Sequence, residues 1–140
     1  STSGNWIRYL ILKKMTNILE KNRIISIVFT ILIAVEIFFF SSKGSFPGAG
    51  GISILPVVYH FIVFFLFSFF LLATIKGNKK LKISYVIITL ILSVIYAILD
   101  EFHQSFIPGR DASVKDILTD SAGIILSFLV YIYIERKNKN

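Results

Sequence analysis

Leu55-Pro-Val-Val-Tyr-His-Phe-Ile-Val-Phe-Phe-Leu-Phe-Ser-Phe-Phe-Leu-Leu-Ala-Thr-Ile75 sits inside a stretch from Lys43 to Lys76 with no Asp, Glu, Lys or Arg between its ends. About 20 predominantly apolar residues are enough for a helix to cross a bilayer. A membrane β-strand would be shorter and would alternate apolar with polar residues, which this segment does not. It therefore reads as a membrane helix. The whole chain agrees: its 140 residues are 55% hydrophobic and 16% charged, against about 45–50% and about 25% in soluble domains. Fourteen phenylalanines and a tryptophan exceed what a small soluble core can hide. A cytosolic enzyme, a disordered chain and a disulfide scaffold are excluded. With no cysteine, neither a thiolate metal site nor a cysteine nucleophile is available.

Three more spans lie around this one. Ile24 to Phe40 is apolar except for Glu36, Ile83 to Leu99 is closed by Asp100, and about Ser113 to Ile134 carries Asp116 and Asp120 in its first turns. The fold class expected is all-α, an integral membrane bundle of four transmembrane helices with short loops. Residues 1–23 form a basic preface, 24–134 the membrane domain and 135–140 a basic tail. The first span has a basic flank, as a cleaved signal does, but it is longer than a usual signal core and holds Glu36. It is taken as retained. The preface mixes Trp6, Ile7, Tyr9 and Leu10 with Lys13 and Lys14, a composition suited to an interfacial helix. Alternatively Met15, the single methionine, is the natural start.

A net charge of +7 raises nucleic acid as a partner, but the basic residues flank apolar runs instead of forming a stripe. That placement suits anionic headgroups. Arg8, Lys13, Lys14, Lys21 and Arg23 precede the first span; Lys76, Lys79, Lys80 and Lys82 follow the second; Arg136, Lys137 and Lys139 end the chain. The remaining connections carry only Lys43, Arg110 and Lys115. The positive-inside bias then puts both termini in the cytoplasm.

This orientation gathers the polar residues at the outer level. Glu36 lies near the outer end of the first span, His60 near the start of the second, Asp100, Glu101 and His103 at the end of the third, Asp111 in the outer loop, and Asp116 and Asp120 at the start of the fourth. At about 1.5 Å per residue, Asp120 lies roughly 10 Å below Ser113, and Glu36 and His60 lie about 7–9 Å inside their ends. Ionisable residues at such depth are costly, face protein or water, and are functional candidates. Asp116 and Asp120 share a helical face with Gly123 and Ser127, so a neighbour can approach closely below the two carboxylates. Asp100, His103 and Gln104 share a face if the third helix continues through them.

Plainer readings stand beside these. Pro108-Gly109 is a turn, Ser113 with Asp116 three positions later is a helix start, and Arg110 then serves as an ion-pair partner. Helix-start geometry does not account for Asp120, Glu36 or His60, which lie too deep. The Phe61–Phe70 run surrounds its helix and reads as lipid contact and packing. Gly44, Gly48, Gly50 and Gly51 form a flexible loop without the Lys-Ser/Thr of a phosphate-binding loop.

Tyr96-Ala-Ile-Leu-Asp100-Glu-Phe-His-Gln104-Ser-Phe-Ile-Pro-Gly-Arg110, continued by Ser113, Asp116, Asp120 and Gly123, resembles the signature of VanZ-like membrane proteins. Phe40-Ser41-Ser42 and His60-Phe61 are weaker matches, and together they span about Ile24 to Ile134. Where members often carry a lysine shortly before the second-helix histidine, this chain has Val57-Val58-Tyr59. The resemblance implies an association with low-level resistance to the glycopeptide teicoplanin and does not disclose a reaction. A phosphotransbutyrylase label carried by some members conflicts with the topology, because cytosolic acyl-CoA would meet the wrong face.

Three functions follow from the polar level. The first is an enzyme of the outer membrane half, with Asp100, Glu101, His103, Asp116 and Asp120 as catalytic candidates. Glu36, His60, Gln104 and Arg110 would contact a membrane lipid or a lipid-linked cell-envelope precursor, since arginine suits phosphate. A divalent metal on His60 with Glu36, Glu101 or Asp116 is chemically reasonable, though linear sequence does not fix the ligands. The second is a non-catalytic module that binds lipid or a protein partner. The third, an ion or proton path, ranks last because the acids cluster on one side.

Overall fold

The computed structural model describes residues 2–44, 54–110 and 112–137, with side chains from Trp6 onward. Asp111 and the loop glycines Gly48, Gly50 and Gly51 lie outside the described residues. Five helices follow in order: α1 (Thr2–Lys21), α2 (Arg23–Ser41), α3 (Ile54–Lys76), α4 (Ile83–Gln104) and α5 (Val114–Lys137). The last four are long and apolar enough to cross a membrane. At about 1.5 Å per residue, α3 is roughly 35 Å long and covers a hydrocarbon layer of about 30 Å.

The helix ends follow from local chemistry. Gly77 adopts a positive φ of 53°, and its N–H donates to the Ala73 carbonyl, so the chain turns out of α3 where a side chain would be strained. Gly109, at φ 80°, supplies the turn between α4 and α5. One boundary differs from the sequence reading. The third span does not stop at Leu99 but runs another turn to Gln104, carrying Asp100, Glu101 and His103 on regular helix. Hydrogen bonds to Asp100, Glu101 and His103, described below, offset part of the penalty for polar side chains there.

α3 is the hub, packed against α1, α2, α4 and α5. Small and hydroxyl residues mark the faces that meet. On α4 the buried face is Thr89, Ser93, Ala97, Asp100, Glu101 and Gln104; on α5 it includes Asp120, Gly123, Ser127 and Tyr131. Ser68 of α3 and Ser127 of α5 join hydroxyls at 2.6 Å, and the Tyr96 hydroxyl donates to the Ala34 carbonyl at 2.6 Å, tying α4 to α2. A Cβ on Gly123 would collide with the Phe61 carbonyl oxygen and stand 3.1 Å from the Phe65 nitrogen. The two backbones touch there. Such contacts matter because lipid tails give apolar helix faces little reason to associate.

Large apolar side chains point outward instead. Phe29, Ile31, Leu32, Val35, Phe38 and Phe39 of α2 are exposed, as are Ile87, Ile91, Ile95 and Ile98 of α4. These exposed apolar faces suit contact with lipid. Phe64 and Phe67 are buried in the bundle, so the phenylalanine run divides between packing and periphery.

α1 packs on α2, α3 and α5 and is held at its C-terminal end by charge. Lys76 is buried between Glu20 at 2.6 Å and Glu135 at 3.1 Å, and the Tyr131 hydroxyl donates to Glu20. At the other end of the helix, Lys137 lies over the rings of Trp6 and Tyr9.

Candidate functional site

The C-terminal ends of α2 and α4 and the N-terminal ends of α3 and α5 lie at one end of the bundle. Two hydrogen-bonded groups occupy it. The first is a string. Ser41 of α2 donates to Asp100 Oδ1 at 2.5 Å, and Gln104 Nε2 donates to Asp100 Oδ2 at 2.8 Å. Arg110 then donates to Gln104 Oε1 through Nη2 at 2.7 Å and Nε at 3.1 Å. Asp100 and Gln104 meet because the helix keeps residues four apart on one face. The string fastens the loop after α4 to α2, with Arg110 half-buried at its outer end.

The second group is deeper. His60 Nδ1 and Asp120 Oδ1 are 3.0 Å apart, and both residues are buried. Glu101 joins them: one ligand-capable atom from each of His60, Glu101 and Asp120 lies within 4.8 Å of the others. Glu101 Oε2 accepts the Ser113 backbone N–H at 2.7 Å. In a capping box that N–H would go to the acid three residues on, here Asp116. Glu101 takes the donor across the helix boundary, and Asp116 is left half-buried one turn above Asp120, within electrostatic reach of His60 and Glu101. Glu101 Oε1 and Asp120 Oδ2 are buried without a hydrogen-bond partner among the described residues.

The other sequence candidates sit at the margin. His103 is half-buried, hydrogen-bonded to Ser42 at 3.0 Å and stacked on Phe38. Glu36 is exposed on the flank of α2, one position off the buried line Ser26, Ile33, Ile37 and Ser41. It does not point into the buried group. In the metal reading, Asp120 rather than Glu36 or Asp116 stands with His60 and Glu101. Sequence reasoning did not single out Ser41 as a partner of Asp100. It also counted Lys76 among the flanking charges, although Lys76 continues the four-residue spacing of His60, Phe64, Ser68 and Leu72 and so belongs to the buried face.

Four membrane-length helices, apolar outside and joined through buried polar groups at both ends, define a multi-pass membrane protein. The chain belongs to the VanZ/LLP1 family, whose description matches residues 6–135. That match takes in the segment from Tyr96 to Gly123 and begins within α1. No curated protein and no solved structure matches the chain significantly.

Proposed function

We propose that this protein binds the phosphate-bearing headgroup of a membrane lipid or lipid-linked envelope precursor at the outer face of the membrane, and modifies it. The observation that carries the reading is the buried His60–Asp120 pair with Glu101 beside it, at the bundle end that also holds Arg110. The excess of Lys and Arg in the opposite connections and at the termini supports an outward position for this end. In this reading Arg110 meets the phosphate, because a guanidinium offers a planar fork of donors. His60, oriented by Asp120, and Glu101 are the groups that act on the headgroup. Asp116 lies between them and the outer surface. A link to glycopeptide susceptibility rests on the family resemblance.

The string from Ser41 to Arg110, whose members already hydrogen-bond one another, favours a second reading: a module that holds lipid or a protein partner without turnover. Native mass spectrometry in mild detergent separates the two. A polyprenyl phosphate and phosphatidylglycerol should form adducts that uncharged diacylglycerol does not. Arg110→Gln should weaken them about 10- to 100-fold, the equivalent of one charge-assisted hydrogen bond. Consumption of the phosphate lipid that stops in His60→Gln, with the adduct retained, establishes catalysis. Equal binding of diacylglycerol, or indifference to Arg110→Gln, overturns the headgroup reading.

A further inference from the structure

We propose that His60, Glu101 and Asp120 hold a divalent transition-metal cation of the zinc or manganese kind. As a partner for a phosphate headgroup the cation rests on the reading above. As an ion held by three side chains it rests only on geometry and charge.

Two carboxylates and an imidazole, at most 3% exposed, are drawn from α3, α4 and α5. Taking charges out of water is costly even after relaxation, and leaving a buried acceptor unsatisfied adds to that cost. The hydrogen bond between His60 and Asp120 and the Ser113 N–H on Glu101 use one oxygen of each acid. The other two oxygens, Glu101 Oε1 and Asp120 Oδ2, have no partner among the described residues. They belong to the two acids of the same three-residue group. A 2+ ion balances the two carboxylates and gives both orphan oxygens a partner at once.

Distance and donor type narrow the ion. Four tetrahedral bonds of about 2.1 Å place ligand atoms about 3.4 Å apart, and donors already within 4.8 Å of one another lie close enough to draw in around one ion. One nitrogen with two carboxylates suits zinc or manganese; calcium takes six to eight oxygens, and magnesium prefers oxygen and retained water. Three protein ligands leave a coordination position for water or a phosphate oxygen, as catalytic rather than structural sites do.

The test uses the full chain in mild detergent, stripped with a chelator and dialysed against Mn²⁺ or Zn²⁺. The expected result is one ion per chain by elemental mass spectrometry. Bound Mn²⁺ should also show a nitrogen coupling from His60 in its electron spin-echo spectrum. Glu101→Gln is the decisive variant, because its amide oxygen still accepts the Ser113 N–H and keeps the start of α5 in place. It should bind at least about 10-fold more weakly, since loss of mere outer partners already costs 10- to 100-fold. His60→Gln should remove the nitrogen coupling. No stoichiometric ion in the wild type, or Glu101→Gln and His60→Gln binding like wild type, overturns the cation. Phosphate-lipid adducts without an ion refute the cation alone; a bound ion without adducts refutes the headgroup reading alone.

Discussion

Gly123→Ala pits two effects against each other with opposite signs. In a helix interior the change gains about 1 kcal/mol from propensity. Here the new methyl points at backbone, with the Phe61 carbonyl oxygen in its path and the Phe65 nitrogen 3.1 Å away. Backbone cannot rotate aside as a side chain can, so α3 and α5 must separate. Overpacking costs about 1–3 kcal/mol, and an obstacle of backbone belongs at the upper end. The net expectation is a loss of about 2 kcal/mol, roughly a 30-fold shift in the folding equilibrium. The same separation pulls on the 3.0 Å contact between His60 and Asp120, which flank Phe61 and Gly123 along their helices. Titration of the detergent-solubilised protein with sodium dodecyl sulfate, followed by circular dichroism, measures the difference. A variant as stable as wild type, or more so, means that the two backbones are not in contact and the argument fails.

Two more expectations address the opposite end and the orientation. Lys76→Met leaves buried Glu20 and half-buried Glu135 without their cation and should cost about 3 kcal/mol in the same titration. The triple change Glu20→Gln, Lys76→Met and Glu135→Gln should recover most of that loss, and a triple variant no better than Lys76→Met alone would refute the account. Because the chain has no cysteine, Ala112→Cys and Asn78→Cys, both at exposed positions, report sidedness cleanly. A membrane-impermeant maleimide should label Ala112→Cys on intact cells and Asn78→Cys only after permeabilisation; the reverse pattern would invert the proposed topology.

Span positions were legible because length and hydropathy are one-dimensional properties. The segment read from Leu55 to Ile75 is the helix Ile54–Lys76. The level of each polar residue was legible for the same reason, since rise per residue converts number into depth. Rotation was not. On a helix apolar all round, the hydrophobic period does not mark the buried face, so nothing in the sequence showed that Glu36 stands off the buried line of α2. The face was written in small and hydroxyl residues instead. Thr89, Ser93, Ala97 and Glu101 keep a four-residue step along α4, and Gly123 and Ser127 do so on α5. Glu20, Lys76 and Glu135 were hidden by position, because charges at helix ends read as solvated flanks until a partner from α1 covers them. The Ser113 to Glu101 bond lay beyond reach as well. Nothing local signals that a helix start will be capped from another helix.

The α3–α5 seam bears on how the chain assembles. α3 enters the membrane two spans before α5, carrying His60 near one end and Lys76 at the other. Until α5 arrives, neither Asp120 nor Glu135 is there to meet them. At about 1.5 Å per residue His60 lies only about 9 Å from the start of α3, so both side chains begin within reach of the headgroup layers. The central helix can therefore stand in the membrane before α5 joins it, with His60 hydrated from the headgroup layer. Glu20 of α1 already reaches Lys76, but His60 gains Asp120 only with the last helix, which makes the completed bundle and the completed polar end a single event.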